Sequence, residues 1–278
     1  MNIIVVFGGA DFEEAAARLI AKKHGLVLAT ATVDGVPCHA GNAYKANGFV
    51  VDEGKESNED IVIVFECSEK VAGNREIIMV CDHHNPGDPG FGFPPENFWR
   101  GSSIGQLCKY LNEEPTEELL MVAASDHCFP AAYAGKCPGI NPEEFAKFRI
   151  SQKVAFYATD VRNAHKSTPS ELEEIIQMTM QKISKAPIIE PGLVDMRGQG
   201  FVEELPESAV RLGLAYISEI QDRDRNQVPT GNMKIVIGGC TDPEMVVSFM
   251  EWANALPNKV GNAYGDPIRG FAGIVVKP

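Results

Sequence analysis

A carboxylate and two imidazoles follow one another at Asp82-His83-His84, directly after the apolar run from Ile77 to Cys81. Neutral imidazole and carboxylate groups are common protein ligands for Zn, Mn and Fe. The apolar run predicts a buried strand, and open α/β sheets bind their ligands beyond the carboxyl ends of strands. The tripeptide therefore indicates a metal-dependent enzyme, although it does not identify the substrate.

Three other apolar runs in the first half of the chain are also followed by acidic residues. If these runs are neighbouring parallel strands, their acidic groups gather at one edge of the sheet. Mutual repulsion would then raise the pKa values of the carboxyl groups, and a divalent cation would resolve the conflict. The residues concerned are Asp11 and Glu13 after the first run, Glu66 after the run at 61–65, and Asp126 after the run that begins at Met121. The alternative is that Asp82 and Asp126 only cap helices at strand-to-helix turns.

The pattern of the first half predicts an α/β fold with a parallel sheet. Continuous apolar runs without polar alternation indicate strands that are buried on both faces. Helical segments at 13–23 and 103–111 lie between the runs, as expected for alternating strands and helices. The predicted strands are residues 3–7, 26–33, 61–65 and 77–80, with a further run at 119–123.

The second half begins with two predicted helices and ends as a smaller α/β unit. The helices cover residues 142–163 and 170–185, with a cap signal at Thr168. We therefore expect a metal-binding domain at 1–165, a helical linker at 166–190 and a smaller α/β domain at 191–278. Within that last domain the predicted strands are 200–204, 233–237 and 271–276, and the predicted helices are 206–216 and 243–256.

Charge and composition exclude several classes of protein. The net charge of −13 argues against long nucleic acid as a substrate, because binding to the phosphate backbone depends on Lys and Arg. The sequence has no run of about 20 apolar residues, so we expect no membrane-spanning helix. The seven cysteines are scattered and form no CxxC pair, which favours reduced thiols in a cytoplasmic protein.

Together these features resemble the DHH phosphoesterase superfamily, over most of the chain. That superfamily includes RecJ-type nucleases, oligoribonucleases, cyclic-dinucleotide phosphodiesterases and family II inorganic pyrophosphatases. Asp82-His83-His84 matches the tripeptide for which it is named, and the helical linker with a smaller domain looks like its DHH-associated C-terminal domain. The resemblance implies a hydrolase that uses one or two Mn²⁺ or Mg²⁺ ions and acts on a small phosphorylated substrate, with a homodimer as one possible assembly. Such a substrate would be a short oligonucleotide, a cyclic dinucleotide, a nucleoside phosphate or pyrophosphate.

The resemblance also implies a role for each acidic residue and imidazole. Asp82 would orient a histidine ligand, and His84 would contact phosphate or protonate the leaving group. The expected metal ligands are Asp11, Glu13, Glu66, His83 and Asp126.

The chain departs from the motifs of the superfamily at three positions. Phe7 stands where the first motif opens with a ligand histidine, and Glu13 and Glu66 stand where aspartates are usual. The Gly-Gly-Gly-His run of the C-terminal domain is replaced by residues 261–270, which contain no histidine. Two alternatives follow: a degenerate member that binds a nucleotide or a protein without catalysis, or a one-metal enzyme of altered chemistry, such as a transferase or lyase.

Residues elsewhere in the sequence are candidates for substrate contact, and each also has a structural explanation. Aromatic side chains at Phe91, Phe93 and Trp99 could stack on a base or simply pack their loop. The serines that precede the helix at 103–111 could receive an anion at its N-terminus or only cap it. The candidate substrate-binding residues are Arg100, Ser102, Ser103, His127, Asn262 and Arg269.

Overall fold

The computed structural model describes residues 1–39, 41–54, 56–158, 165–223 and 228–278. The chain divides into two compact units, Met1–His127 and Cys128–Pro278. This division falls earlier in the chain than the boundary expected at residue 165, because the long helix that starts at Pro142 packs within the second unit. No helix in the described ranges is long and apolar enough to cross a lipid bilayer.

The first unit contains a six-stranded sheet with a parallel centre. The order is β3-β2-β1-β5-β6, with β4 also paired to β2. Strands β2, β1, β5 and β6 run parallel, which confirms the parallel sheet predicted from the apolar runs. The strands are β1 (Ile3–Phe7), β2 (Val27–Val33), β3 (Val36–Pro37), β4 (Gly48–Val51), β5 (Ile61–Phe65) and β6 (Ile77–Cys81).

Both faces of the central strands are buried, as continuous apolar runs require. Side chains of β1 and β5 such as Ile4, Val6, Val62 and Val64 are fully buried in one apolar cluster. The helices of this unit are α1 (Phe12–Lys23), α2 (Phe98–Gly101), α3 (Ser103–Leu111) and α4 (Glu117–His127).

The run before Asp126 is a helix, so the prediction of a strand there was wrong. Helix α4 carries Glu117 and Glu118 in its first turn, where the helix dipole favours negative charge. The hydroxyl of Thr116 accepts a hydrogen bond from the Leu119 amide, at 3.2 Å, as a helix cap does. A short apolar run does not separate a buried helix from a buried strand by periodicity alone. Asp126 therefore lies in the last turn of α4 and not at a strand end.

The second unit contains a six-stranded sheet in the order β11-β12-β10-β9-β8-β7. All of its pairings are antiparallel except that between β8 and β9. Its elements, in chain order, are α5 (Phe129–Tyr133), α6 (Pro142–Tyr157), α7 (Pro169–Ile183), β7 (Ile188–Glu190), β8 (Leu193–Asp195), α8 (Leu205–Arg211), β9 (Ala215–Arg223), β10 (Pro229–Gly238), α9 (Pro243–Ala255), β11 (Lys259–Asp266) and β12 (Phe271–Val276).

Three predictions for this unit need correction. Residues 200–204 form no strand, and the chain there turns into α8 with Glu204 in the left-handed region at a φ of 52°. The helix expected to reach Tyr216 ends at Arg211, because Gly213 turns the chain at a φ of 66° and Tyr216 belongs to β9. The predicted helix 142–163 ends at Tyr157, and residues 159–164 lie outside the described ranges.

Candidate metal centre

Parallel pairing places the ends of β1, β5 and β6 side by side at one edge of the sheet. Phe7 pairs with Phe65, and Phe65 pairs with Cys81, so the three strands end in register. The residues that follow each strand are consequently neighbours in space. The fold thus brings together Asp82-His83-His84 and the acidic residues after β1 and β5, as their positions at strand ends predicted.

Four side chains meet closely beyond this edge: Glu66, His83, His84 and Asp126. One ligand atom from each lies within 4.8 Å of the others. Oδ2 of Asp126 lies 2.8 Å from Nε2 of His83. Oε1 of Glu66 lies 3.8 Å from Nδ1 of His83 and 3.9 Å from Nδ1 of His84. The two imidazole rings stack with centroids 4.5 Å apart.

Glu66 is held at this position by an uncommon main-chain conformation. Its φ is 51°, in the left-handed region that residues other than glycine rarely adopt. The carbonyl oxygen of Glu66 comes so close to Gly8 that a Cβ on Gly8 would stand 2.1 Å from it. The Gly8 amide meanwhile donates to the carbonyl of Phe65, at 3.0 Å. Strained main-chain geometry of this kind often accompanies functional sites.

Asp82 is the acceptor around which the tripeptide is arranged. Its Oδ1 accepts from the main-chain amides of His83 (2.7 Å) and His84 (3.1 Å) and from Nδ1 of His84 (3.0 Å). The phenol of Tyr44 donates to the same carboxylate, at 2.9 Å. Burial acts to raise the pKa of Asp82, but the hydrogen bonds and charge of His84, with help from Tyr44, bring it below the ordinary value. The Asp82 carboxylate therefore hydrogen-bonds to both the main chain and the ring of His84.

Two polar side chains brace this loop from α3. Gln106 accepts from the Asp82 amide at 3.2 Å, and its own amide group donates to the carbonyls of Asp82 (3.1 Å) and Gly101 (2.8 Å). The hydroxyl of Ser103 lies 3.0 Å from Nδ1 of His83. Neither Gln106 nor Tyr44 was among the residues predicted from the sequence. No spacing in the chain points to them, because only the fold brings them to Asp82.

Glu13 and Asp11 stand beside the four-residue group but outside it. Glu13 is buried, its Oε1 accepts from the Ile104 amide at 3.1 Å, and its carboxyl group also hydrogen-bonds to that of Glu66. Asp11 caps α1, where its side chain accepts from the Glu14 amide at 2.8 Å. Burial first and the charge of Asp126 second raise the pKa values of both Glu13 and Asp11.

The donor set fits a divalent cation. Burial and the charge of Glu13 raise the pKa of Glu66 well above its ordinary value. The carboxyl groups of Glu13 and Glu66 hydrogen-bond to each other, which requires a proton between them, and a divalent cation can replace that proton. Metal–ligand distances of about 2.0–2.3 Å put the ligands of one ion up to about 4.6 Å apart, close to the spread of this group.

The predicted substrate-binding residues of the first unit differ in their burial and in their contacts. Ser102 caps α3: its hydroxyl accepts from the Gly105 amide and donates to the Trp99 carbonyl, both at 3.1 Å. His127 is buried, with its ring 4.9 Å from that of His83 and its Nε2 2.9 Å from the carbonyl oxygen of Phe93. Ser103 is buried as well, whereas Arg100 is exposed on α2.

The two candidates in the second unit lie near the end of the chain. Asn262 is exposed on β11. Arg269 follows β11, its amide donates to Asp266 at 3.2 Å, and its guanidinium carbon lies 5.6 Å from the Phe271 ring centroid. Contact of either residue with a substrate stays a prediction.

Phe7 stands where the resemblance seen in the sequence would place a ligand histidine. Its side chain is fully buried at the end of β1. The guanidinium carbon of Arg18 lies 4.4 Å from its ring centroid, and the Phe65 ring centroid is 5.3 Å away. This corner of the site is therefore apolar and covered by a cation, so it offers no metal ligand.

Comparison with known proteins finds no matching family model and no similar curated protein. Among solved structures, RecJ from Thermus thermophilus in complex with Mg²⁺ is 12% identical, with a TM-score of 0.41, and RecJ from the same organism with Mn²⁺ is 11% identical, at 0.38. An exonuclease RecJ bound to manganese is 12% identical, at 0.37. Each match covers 99% of this chain, which spans 47%, 50% and 86% of those chains, respectively.

Proposed function

We propose that the chain is a divalent-metal-dependent phosphohydrolase that acts on a small phosphate ester. The observation that carries the proposal is the group of two carboxylates and two imidazoles within 4.8 Å of one another, at Glu66, His83, His84 and Asp126. Mixed imidazole and carboxylate ligands suit Mn²⁺, Fe²⁺ or Zn²⁺ better than a site made of oxygen ligands alone. We expect Glu13 and Asp11 to support the same ion or a second one.

A divalent ion held by Glu66, His83 and Asp126 of this group would lower the pKa of a water molecule and polarise a phosphoryl oxygen, which leaves His84 to act on the phosphate. The residues of the chain supply position and protons. Because Asp82 is an ionised acceptor, Nδ1 of His84 carries the proton that it shares with Asp82 at 3.0 Å. Nε2 of His84 is then the nitrogen that would bind phosphate or, once protonated, give a proton to the leaving group.

The net charge of −13 guides the choice of substrate. Binding of long nucleic acid depends on many Lys and Arg contacts, which so acidic a chain supplies poorly. We therefore favour small phosphate esters, with pyrophosphate, a dinucleotide, a cyclic dinucleotide and a nucleoside 3′,5′-bisphosphate as the first panel.

The test is Mn²⁺-dependent product release from this panel by the wild type and single variants. His83→Ala and Asp126→Ala should each lower turnover by at least about 100-fold, because loss of a ligand removes the charge that stabilises the transition state. His165→Ala is the matched control, since that histidine is exposed and belongs to the second unit. Turnover that both site variants retain would overturn the proposal.

A second candidate is a degenerate relative that binds a small ligand without catalysis, and Phe7 is the observation that favours it. A buried aromatic ring under Arg18 takes the place of a ligand histidine. This candidate predicts silence across the panel together with ligand-induced stabilisation in EDTA. Measurement of the metal content also distinguishes the hydrolase from the non-catalytic binding protein, because an active enzyme should hold at least one Mn²⁺ per chain after gel filtration.

A further inference from the structure

A cavity of about 480 Å³ opens in the first unit, beside the edge strand β6. Residues of β6, of the loop that follows it, of α2 and of α3 line it, and none of them belongs to the metal-binding group. Its volume falls in the range of about 300–1,000 Å³ that small-molecule sites occupy. We call it the β6 cavity. Three aromatic side chains line it, and these are Phe93, Trp99 and Tyr110.

Two cationic side chains stand at the same cavity, Arg100 and Lys109. Both are exposed, and among the described residues neither makes an ion pair with a carboxylate. The guanidinium carbon of Arg100 lies 6.0 Å from the centroid of the Phe93 ring. In a chain with a net charge of −13, two cations without carboxylate partners therefore stand beside three aromatic rings.

We propose that the β6 cavity binds a nucleoside monophosphate. The base would stack on the aromatic side chains, a contact worth about 1–3 kcal/mol per base in other proteins. The phosphate would be bound by Arg100 and Lys109, of which the planar guanidinium can hold two phosphate oxygens at once. A nucleoside without the phosphate would lack the contacts with Arg100 and Lys109, and a sugar phosphate without the base would lack the stacking.

This site goes beyond the proposed hydrolysis, because it lies outside the metal-binding group and needs no ion. Gln106 connects the two places: its side chain lines the cavity and makes hydrogen bonds to the main chain of Asp82 on both the amide and the carbonyl side. An occupant of the cavity would consequently contact the residue that braces the Asp82 loop.

Trp99 offers a direct measurement. The chain has two tryptophans, so Trp252→Phe leaves Trp99 as the single fluorophore. We would titrate this variant, in EDTA, with adenosine monophosphate, adenosine and ribose 5-phosphate. We expect a saturable change in Trp99 fluorescence with the monophosphate, and binding at least about tenfold weaker for each fragment, which corresponds to about 1.4 kcal/mol.

Arg100→Ala and Lys109→Ala in the same background should each weaken binding of the monophosphate about fivefold or more, because each removes a charge-assisted contact. Lys70→Ala is the matched control, since Lys70 is also exposed and lies outside the cavity. No saturable change up to about 10 mM ligand, a concentration that detects even millimolar affinity, would overturn the proposal. Binding that neither cavity substitution weakens would overturn it too. Because the titration contains no metal, failure of the proposed hydrolysis would leave its result unchanged.

Discussion

Oδ2 of Asp126 lies 2.8 Å from Nε2 of His83, so a carboxylate in the last turn of α4 meets an imidazole that follows β6. His83 is fully buried, and the Asp126 side chain is about a quarter exposed. Burial is the largest cause of the raised pKa of Glu13, and the negative charge of Asp126 is the second. One helical residue thus connects the imidazole pair with the acidic residues that follow β1, and metal binding at this edge should depend on it.

Tyr44 should act as a positioning residue for His84 through Asp82. Tyr44→Phe removes the phenol that donates to Asp82 at 2.9 Å and leaves the ring in place. Loss of such an outer hydrogen bond lowers metal affinity or turnover by about tenfold or more in other metal sites. Titration with Mn²⁺ and the pH profile of turnover measure the effect. Tyr264→Phe in the second unit is the control, and equal values for both variants would contradict the assigned role.

Gly8→Ala should destabilise the protein, because a Cβ there would stand 2.1 Å from the carbonyl oxygen of Glu66. Main-chain atoms have to move to relieve such a contact, at a cost of about 1–3 kcal/mol. Urea denaturation measures the loss. Gly48→Ala is the control, since its nearest neighbour is a side-chain oxygen of Thr32 at 3.3 Å. An unchanged denaturation midpoint for Gly8→Ala would show that the close contact between Gly8 and the Glu66 carbonyl does not hold Glu66 in place.

The metal-free protein should lose stability as the pH rises. The folded state raises the pKa values of Glu13 and Glu66 well above their ordinary value of 4.5. Their contribution is therefore fully present below pH 4.5 and is lost as the pH rises toward the folded pKa values. Thermal denaturation in EDTA from pH 5 to 8 should show this fall, and Glu13→Gln should reduce it whereas Glu251→Gln should not.

Addition of Mn²⁺ should reverse that loss, because an ion replaces the protons on these carboxyl groups. At 100 times its dissociation constant the ion would contribute about 2.7 kcal/mol to the free energy of unfolding. The increase in the free energy of unfolding that Mn²⁺ produces should become larger as the pH rises. A gain that is the same at pH 5 and pH 8 would place the ion at another site.

The second unit should show the opposite dependence on pH, through Glu207. Its carboxylate is fully buried, lies 3.1 Å from Arg149 and 3.3 Å from Lys153, and accepts from the phenol of Tyr133. Burial acts to raise its pKa, but Arg149 and Lys153 outweigh burial and bring it below the ordinary value. The stabilisation is therefore present above pH 4.5 and is lost as the pH falls through the folded pKa.

Glu207→Gln should accordingly lower the free energy of unfolding at pH 7 by about 1–3 kcal/mol, because it leaves the partly buried guanidinium of Arg149 without its carboxylate, whereas Lys153 keeps Glu204. The difference from wild type should shrink as the pH falls below 4. Denaturant titrations at pH 7, 5 and 3.5 measure this, with Glu251→Gln as an exposed control. A difference that is constant over this range would mean that packing, and not charge, dominates at Glu207.

The sequence by itself determined the parallel sheet and the positions of Glu66 and Asp82-His83-His84 at strand ends. Continuous apolar runs and cap residues are local signals. A residue directly after a buried strand must lie at the edge of the sheet where that strand ends. The same local signals failed for the run before Asp126, because a short apolar run of Leu, Met and Ala fits a buried helix as well as a strand.

Only the tertiary structure decided which distant residues complete the site. Asp126 reaches His83 because α4 ends beside β6, Tyr44 reaches Asp82 across the sheet edge, and Gln106 braces Asp82 from α3. The sheet order β2-β1-β5-β6 places these elements together, and that order follows from long-range packing that no local periodicity encodes. The sequence therefore predicted the reactive side chains at the strand ends. The residues that contact them are brought there only by the packing of the folded protein.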